Sequence, residues 1–147
     1  MILDFKDIRK ILVPTDGSDP SLRAAEYAIS IAKLIGAQIL VVFVVDDVVL
    51  DQMAKITERE PAERELREDG KGYIKYVLSL ADKAGVKASS IMEEGRPFER
   101  ILRTAKDSNS DLIVMGTYGR RGTDRILIGS VAERIIEYAS CPVLVVK

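Results

Sequence analysis

The stretch QILVVFVVDD, residues 38–47, is apolar at every position from Ile39 to Val45 and then stops at Asp46 and Asp47. A strand with one wet face would alternate, so an uninterrupted run reads as a central parallel strand covered on both faces. The run is far too short to cross a bilayer, which needs about 20 residues as helix. Upstream, KILVPT (residues 10–15) reads as the first strand, followed by the turn D-G-S-D-P. Pro20 then stands where the first helical residue is expected, with Asp19 or Ser18 as cap. Ala24, Ala28, Ile31 and Ile35 share one face of that helix, and Gly36 stops it.

Downstream, residues 47–54 read as loop or short helix, and 58–69 as a dense mixture of charges. This segment is expected to be a solvated, mobile connection, with a substrate lid as the alternative. Tyr73, Val77, Leu80 and Ala84 mark the next helix, ended by Gly85. Gly70 and Gly72 predict fraying or a break, because an interior glycine costs about 1 kcal/mol relative to alanine. Residues 86–93 read as a weak edge strand, and Gly95 and Pro97 introduce a helix carrying Ile101, Leu102 and Ala105. DLIVMG (111–116) is a buried fourth strand. Gly129-Ser130 opens a helix with Val131, Ile135, Ile136 and Ala139, and PVLVVK (142–147) is a fifth strand. Strands alternating with helices predict an α/β fold: one doubly wound, five-stranded parallel sheet with helices on both faces, forming one domain over residues 1–147.

The chain of 147 residues carries 22 Lys+Arg against 23 Asp+Glu, a net charge of −1, which speaks against a nucleic-acid binder. With no histidine and one cysteine, it excludes Ser-His-Asp and Cys-His catalysis, His-ligated zinc or haem, and a CxxC redox pair. Charges from Asp4 onward do not fit a signal peptide. A cytoplasmic location, away from membranes, is expected, with Cys141 as a small packing residue.

In open parallel sheets, ligands bind beyond the carboxyl ends of the strands, where the winding reverses. The candidates are therefore Pro14, Thr15 and Asp16, then Val44 and Asp46, then the loop GTYGRRGTDRILIGS from Gly116. Glycines admit a close backbone approach, and a helix opening at Ser130 offers free N–H groups and a partial positive charge to an anion. Arg120, Arg121 and Arg125 add positive charge, so the loop points to phosphate. Structural readings stand beside this one. Ser130 and Glu133 have the spacing of a capping box, the arginines fit a solvated loop, and Asp16-Gly17 fits a simple turn. A P-loop fails because no Gly-Lys-Ser/Thr occurs, and a dinucleotide fingerprint fails because only Gly17 follows the first strand. A phospho-acceptor receiver domain fails because the third strand ends in Glu93-Glu94 and Lys147 has no following helix.

These residues resemble the universal stress protein family, from ILVPTDGS (11–18) through Gly95 and Pro97 to CPVLVV (141–146). The signature of the ATP-binding branch, G-x2-G-x9-G-[ST], is met by Gly116, Gly119, Gly129 and Ser130. The resemblance implies a Rossmann-like fold of the adenine nucleotide alpha hydrolase type. It implies that Asp16 binds ribose hydroxyls with help from the Gly116 backbone, and that the Val44 backbone pairs with the adenine edge. Pro14, Thr15 and Met115 would wall the base and sugar, and Gly119, Gly129, Ser130, Val131 and Ala132 would cradle the phosphates. The implied cofactor is ATP, or ADP or AMP, with Mg²⁺ or Mn²⁺ riding on the phosphates. Ala132 lacks a hydroxyl that some members carry there, and Tyr118 replaces a polar residue or histidine, its ring placed to stack on or gate the site. These departures leave open the choice among ATP, ADP and AMP.

The expected function is a nucleotide-dependent sensor or switch in stress response, with at most slow ATP hydrolysis; no pairing of a base with a water-positioning residue is evident, and Asp46 and Glu94 are no more than candidates. The expected mechanism has bound ATP ordering the 116–130 loop and the 47–70 segment. The alternative is an interaction module that binds no nucleotide, and a coupled ATPase or phosphotransfer enzyme stands third. The family also implies a homodimer through the strand at 142–147, an apolar edge needing cover.

Overall fold

The computed structural model describes residues 2–118 and 128–147. Its five strands lie side by side in the order β3-β2-β1-β4-β5, every neighbouring pair parallel. They are β1 (Lys10–Pro14), β2 (Gln38–Asp46), β3 (Ala88–Gly95), β4 (Leu112–Gly116) and β5 (Val143–Val146). The helices are α1 (Asp19–Ile35), α2 (Asp47–Ala54), α3 (Arg59–Lys83), α4 (Pro97–Asp107) and α5 (Ser130–Tyr138). The doubly wound α/β sheet expected from the sequence is the fold observed.

β1, β2 and β4 each feed both layers. Ile11 and Val13, Ile39, Val41, Phe43 and Val45, and Leu112 and Val114 face one layer, buried with Ala24 and Ala28 of α1 and Leu66, Ile74 and Val77 of α3. Leu12, Val42, Ile113 and Met115 face the other, buried with Ile101 of α4 and Ala132 and Ile135 of α5. Side chains such as Ile11, Leu12, Ile39 and Ile113 are fully buried, each worth about 1.5–3 kcal/mol of apolar transfer. That two-sided burial is why β2 carries no polar residue between its ends.

The α1 boundaries follow the sequence signals. Ser18 is the cap, its hydroxyl accepting from the Ser21 N–H at 3.4 Å, and Gly36 ends the helix. β3 is an edge strand as expected, two residues later than its sequence pattern placed it, with Val86 buried ahead of it.

Two expectations are corrected. Residues 47–70 form no loose connection: α2 buries Leu50, and α3 has begun by Arg59. The break at Gly70 and Gly72 does not occur either, because α3 runs unbroken for 25 residues. Ala62, Leu66, Gly70, Ile74, Val77 and Ala81 form one buried stripe along it, and tertiary burial outweighs the local cost of the glycines. Gly70 has a packing reason to be glycine: a Cβ there would overlap the ring of Phe43 on β2. The dense charges lie on the outer face as ion pairs, among them Arg64–Glu60 at 3.7 Å and Lys71–Glu68 at 3.0 Å. Among the described residues no helix is long and apolar enough to cross a membrane.

Candidate functional site

The chain winds from β1 outward to β2 and β3, then returns through α4 to place β4 on the other side of β1. The winding therefore reverses between β1 and β4, where the two crossovers diverge and leave a crevice at the strand ends. A cavity of about 200 Å³ opens there. Its walls combine the ends of β1, β2 and β4 with the first turn of α5.

Glycine makes this junction possible at two points. A Cβ on Gly116 would lie 2.8 Å from the carbonyl carbon of Pro20 and 2.9 Å from the Ser21 nitrogen, so glycine lets α1 start directly against the end of β4. A Cβ on Gly129 would lie 2.9 Å from the Tyr118 Cα and 3.0 Å from the Thr117 oxygen. Gly129 N–H donates to the Thr117 carbonyl, and this contact brings the start of α5 back to the strand that the loop left.

The N-cap of α5 is Gly129, with no side-chain cap, and the Glu133 N–H donates to the Gly129 carbonyl at 2.9 Å. The capping-box alternative for Ser130 and Glu133 is thereby corrected: Ser130 is the first helical residue, not the cap. The cause is the Gly129–Thr117 bond, which sets the helix start one residue earlier. The amides of Ser130, Val131 and Ala132 lie in the first turn, where no intrahelical acceptor exists. The Ser130 side chain is exposed at the cleft.

Asp16 lines the cleft from the β1–α1 turn, its Oδ1 accepting from the Ser18 N–H at 2.9 Å and the Ser18 hydroxyl at 2.5 Å. Thr15 is buried, with its hydroxyl 3.4 Å from that of Ser21 and its N–H donating to Val42 at 2.9 Å. Asp46 lines the opposite side and caps α2 through the Val48 N–H at 2.9 Å.

The structure gathers Pro14, Thr15, Asp16, Val44, Met115, Gly116, Tyr118, Gly129, Ser130, Val131 and Ala132 around this one cavity. Gly119 and the arginines at 120, 121 and 125 lie outside the described residues. Of the two candidate bases, Asp46 reaches the cavity. Glu94 is corrected: it is not among the lining residues, and its Oε2 sits 3.0 Å from the Arg67 guanidinium, which also holds Glu63 at 3.2 Å. Sequence reasoning missed Phe43, Val49, Leu66 and Ile101, which complete the apolar walls. Among the described residues no group of three acidic or sulfur side chains is placed to hold a metal ion.

Cys141 is half-buried against the α4–α5 layer, and burial, with a smaller contribution from Asp111, pushes its thiol pKa up. That environment fits the packing role expected of it.

The universal stress protein family model matches residues 7–147. The universal stress protein MJ0531 of Methanocaldococcus jannaschii is 46% identical over 139 residues, covering 95% of this chain and 82% of that one. YxiE of Bacillus subtilis, also a universal stress protein, is 30% identical, covering 94% and 98%. Among solved structures, MJ0577 of M. jannaschii superposes with a TM-score of 0.83 at 29% identity, covering 95% and 96%. UspA of Lactobacillus plantarum superposes with a TM-score of 0.84 at 25% identity, covering 95% and 98%. The chain belongs to the universal stress protein family.

Proposed function

We propose that this protein binds an adenine nucleotide, ATP in the first instance, in the cleft between β1 and β4, and acts in the cytoplasm as a nucleotide-dependent switch. The observation that carries the reading is the uncapped first turn of α5 entering a largely apolar cleft at the topological switch point, with Ser130 exposed on it. Such a turn attracts phosphate through its N–H groups and its dipole. Gly116, Gly119, Gly129 and Ser130 supply the matching signature in the sequence.

In this reading Asp16 accepts from the ribose hydroxyls, and Val44 pairs through its backbone with the adenine edge. Pro14, Thr15 and Met115 wall the base and sugar. Phosphates meet Gly119, Gly129, Ser130, Val131 and Ala132. A divalent ion rides on phosphate oxygens, since no protein cage for it stands among the described residues. Hydrolysis is at most slow: of the two candidate bases Asp46 lines the cleft, and its Oδ1 is engaged in capping α2. We expect the switch to act through the 116–130 loop, since α2 and the first half of α3 already occupy most of 47–70. The edge strand β5 leaves Leu144 exposed and is the surface through which we expect a homodimer.

Calorimetric titration of nucleotide-stripped protein with ATP, ADP and AMP, with and without Mg²⁺, tests the assignment. Binding near one nucleotide per chain is expected, weakening as phosphates are removed. No heat, together with no protection against melting, overturns it and makes the interaction module the better reading.

A further inference from the structure

Tyr73, on the second half of α3, is far in sequence from the Asp16 turn but lies directly on it. Gly17 has φ +82°, and the position a Cβ would take there is filled by the Cζ, Cε1 and Cε2 atoms of the Tyr73 ring. Any side chain at position 17 would thus be strained twice over, by its backbone conformation and by the ring. The ring is itself held: it packs on Phe43 with centroids 6.1 Å apart and planes tilted at 49°. Phe43 is buried, lines the cleft, and is pressed from behind by Gly70 of α3. A chain of direct contacts therefore runs from Gly70 through Phe43 and Tyr73 to Gly17, tying α3 to the central strand and to the turn that presents Asp16.

Asp16 is oriented from within the turn by Ser18, through its N–H at 2.9 Å and its hydroxyl at 2.5 Å. Those bonds fix the carboxylate relative to the turn, and the Thr15 N–H ties the start of the turn to Val42 on β2. Tyr73 adds a constraint on Gly17 from outside the turn. We propose that Tyr73 is a positioning residue that sets Asp16 for recognition of the ribose cis-diol, so that discrimination of ribonucleotides from nucleotides lacking both hydroxyls depends on a side chain on α3. This rests on the nucleotide reading given above.

The test compares ATP with 2′,3′-dideoxy-ATP in calorimetric titrations of wild type, Tyr73→Ala, Tyr73→Leu and Tyr73→Phe. A hydrogen bond to a charged group gives wild type a preference for ATP of about ten-fold or more. Tyr73→Ala is expected to lose most of that preference, by weakening ATP while leaving dideoxy-ATP unchanged. Tyr73→Phe keeps the ring face and is expected to keep the preference. Tyr73→Leu retains an apolar core contact without the ring's reach, and is expected to behave like Tyr73→Ala while keeping the fold if the alanine variant does not. An equal loss of both ligands in Tyr73→Leu would show a merely structural role and overturn the proposal, as would an undiminished preference. Failure of the nucleotide reading looks different: wild type would then bind neither compound, and the proposal would fall with it.

Discussion

Replacing Gly70 and Gly72 by alanine, one at a time, should move stability in opposite directions, although both glycines lie within the same turn of α3. On helix propensity alone each change gains about 1 kcal/mol. At Gly72, which is exposed with nothing within 4 Å of the added Cβ, that gain should be realised in full. At Gly70 the Cβ overlaps the Phe43 ring, with even its Cγ, the ring atom nearest the backbone, only 2.9 Å away. That ring is 3% exposed and packed against Tyr73, so moving it aside carries a cost. Overpacking of this kind costs about 1–3 kcal/mol, which leaves Gly70→Ala a net loss of up to about 2 kcal/mol. The two variants should therefore differ by about 1–3 kcal/mol, or on the order of 2–12 °C in Tm for a chain of this size. Urea unfolding followed by circular dichroism would read this as opposite shifts in midpoint at constant m-value. Phe43→Leu should relieve the Gly70→Ala penalty, and a double-mutant cycle would measure the coupling. If both glycine variants stabilise equally, the packing account of Gly70 is refuted.

Gly116→Ala should cost about 1–3 kcal/mol and weaken nucleotide binding, since its Cβ meets the backbone of Pro20 and Ser21 rather than a movable side chain; wild-type stability in a denaturant titration would contradict the close approach of α1 to β4. Glu94→Gln should leave nucleotide binding and any slow hydrolysis unchanged, and the loss of its half-exposed pairing with Arg67 should cost at most about 1 kcal/mol; a drop in hydrolysis at unchanged affinity would restore Glu94 as a base. Cys141 has a thiol pKa raised by burial, so less of it is thiolate at neutral pH than in the unfolded chain. Its alkylation by iodoacetamide should be slow at pH 7 and climb as pH rises through the raised value, and equal rates in folded and urea-unfolded protein at neutral pH would rule this out.

What could be read in the sequence was what depends on near neighbours or on burial from both sides. β1, β2 and β4 were legible because a strand covered on both faces must be apolar throughout. The α1 boundaries were legible because Ser18, Pro20 and Gly36 act locally. Gly70 was misread for the converse reason: its cause is Phe43, on another element, and helix propensity sees only the local cost. The strand-end residues of the cleft followed from the topology rule and the glycine signature. Val49, Leu66 and Ile101 did not, because they reach the cleft only through packing of helices whose placement no local pattern specifies, and Phe43 did not, because the apolar run of β2 does not mark which of its residues borders a cavity. The Ser130–Glu133 spacing suggested a cap that the structure gives instead to Gly129, since a bond to Thr117 across the loop decides where α5 begins.

The signature glycines raise a sharper question, because Gly116 and Gly129 are each explained by chain packing with no ligand present. This does not weaken the nucleotide reading. The same close approaches bring α1 and α5 to the end of β4, so the cleft exists because those positions lack side chains. It does mean that lost binding in a glycine variant cannot separate direct contact from a deformed cleft. Ser130 can separate them. Its side chain is exposed, caps nothing, and sits on a helix turn where alanine is well tolerated. Ser130→Ala should therefore shift stability by no more than about 0.5 kcal/mol. If the hydroxyl meets a phosphate, its removal should weaken ATP about ten-fold or more, the value of a hydrogen bond to a charged group, and leave adenosine unaffected. Equal affinity of the variant and wild type for ATP would remove Ser130 from the cradle and confine the signature to its packing role.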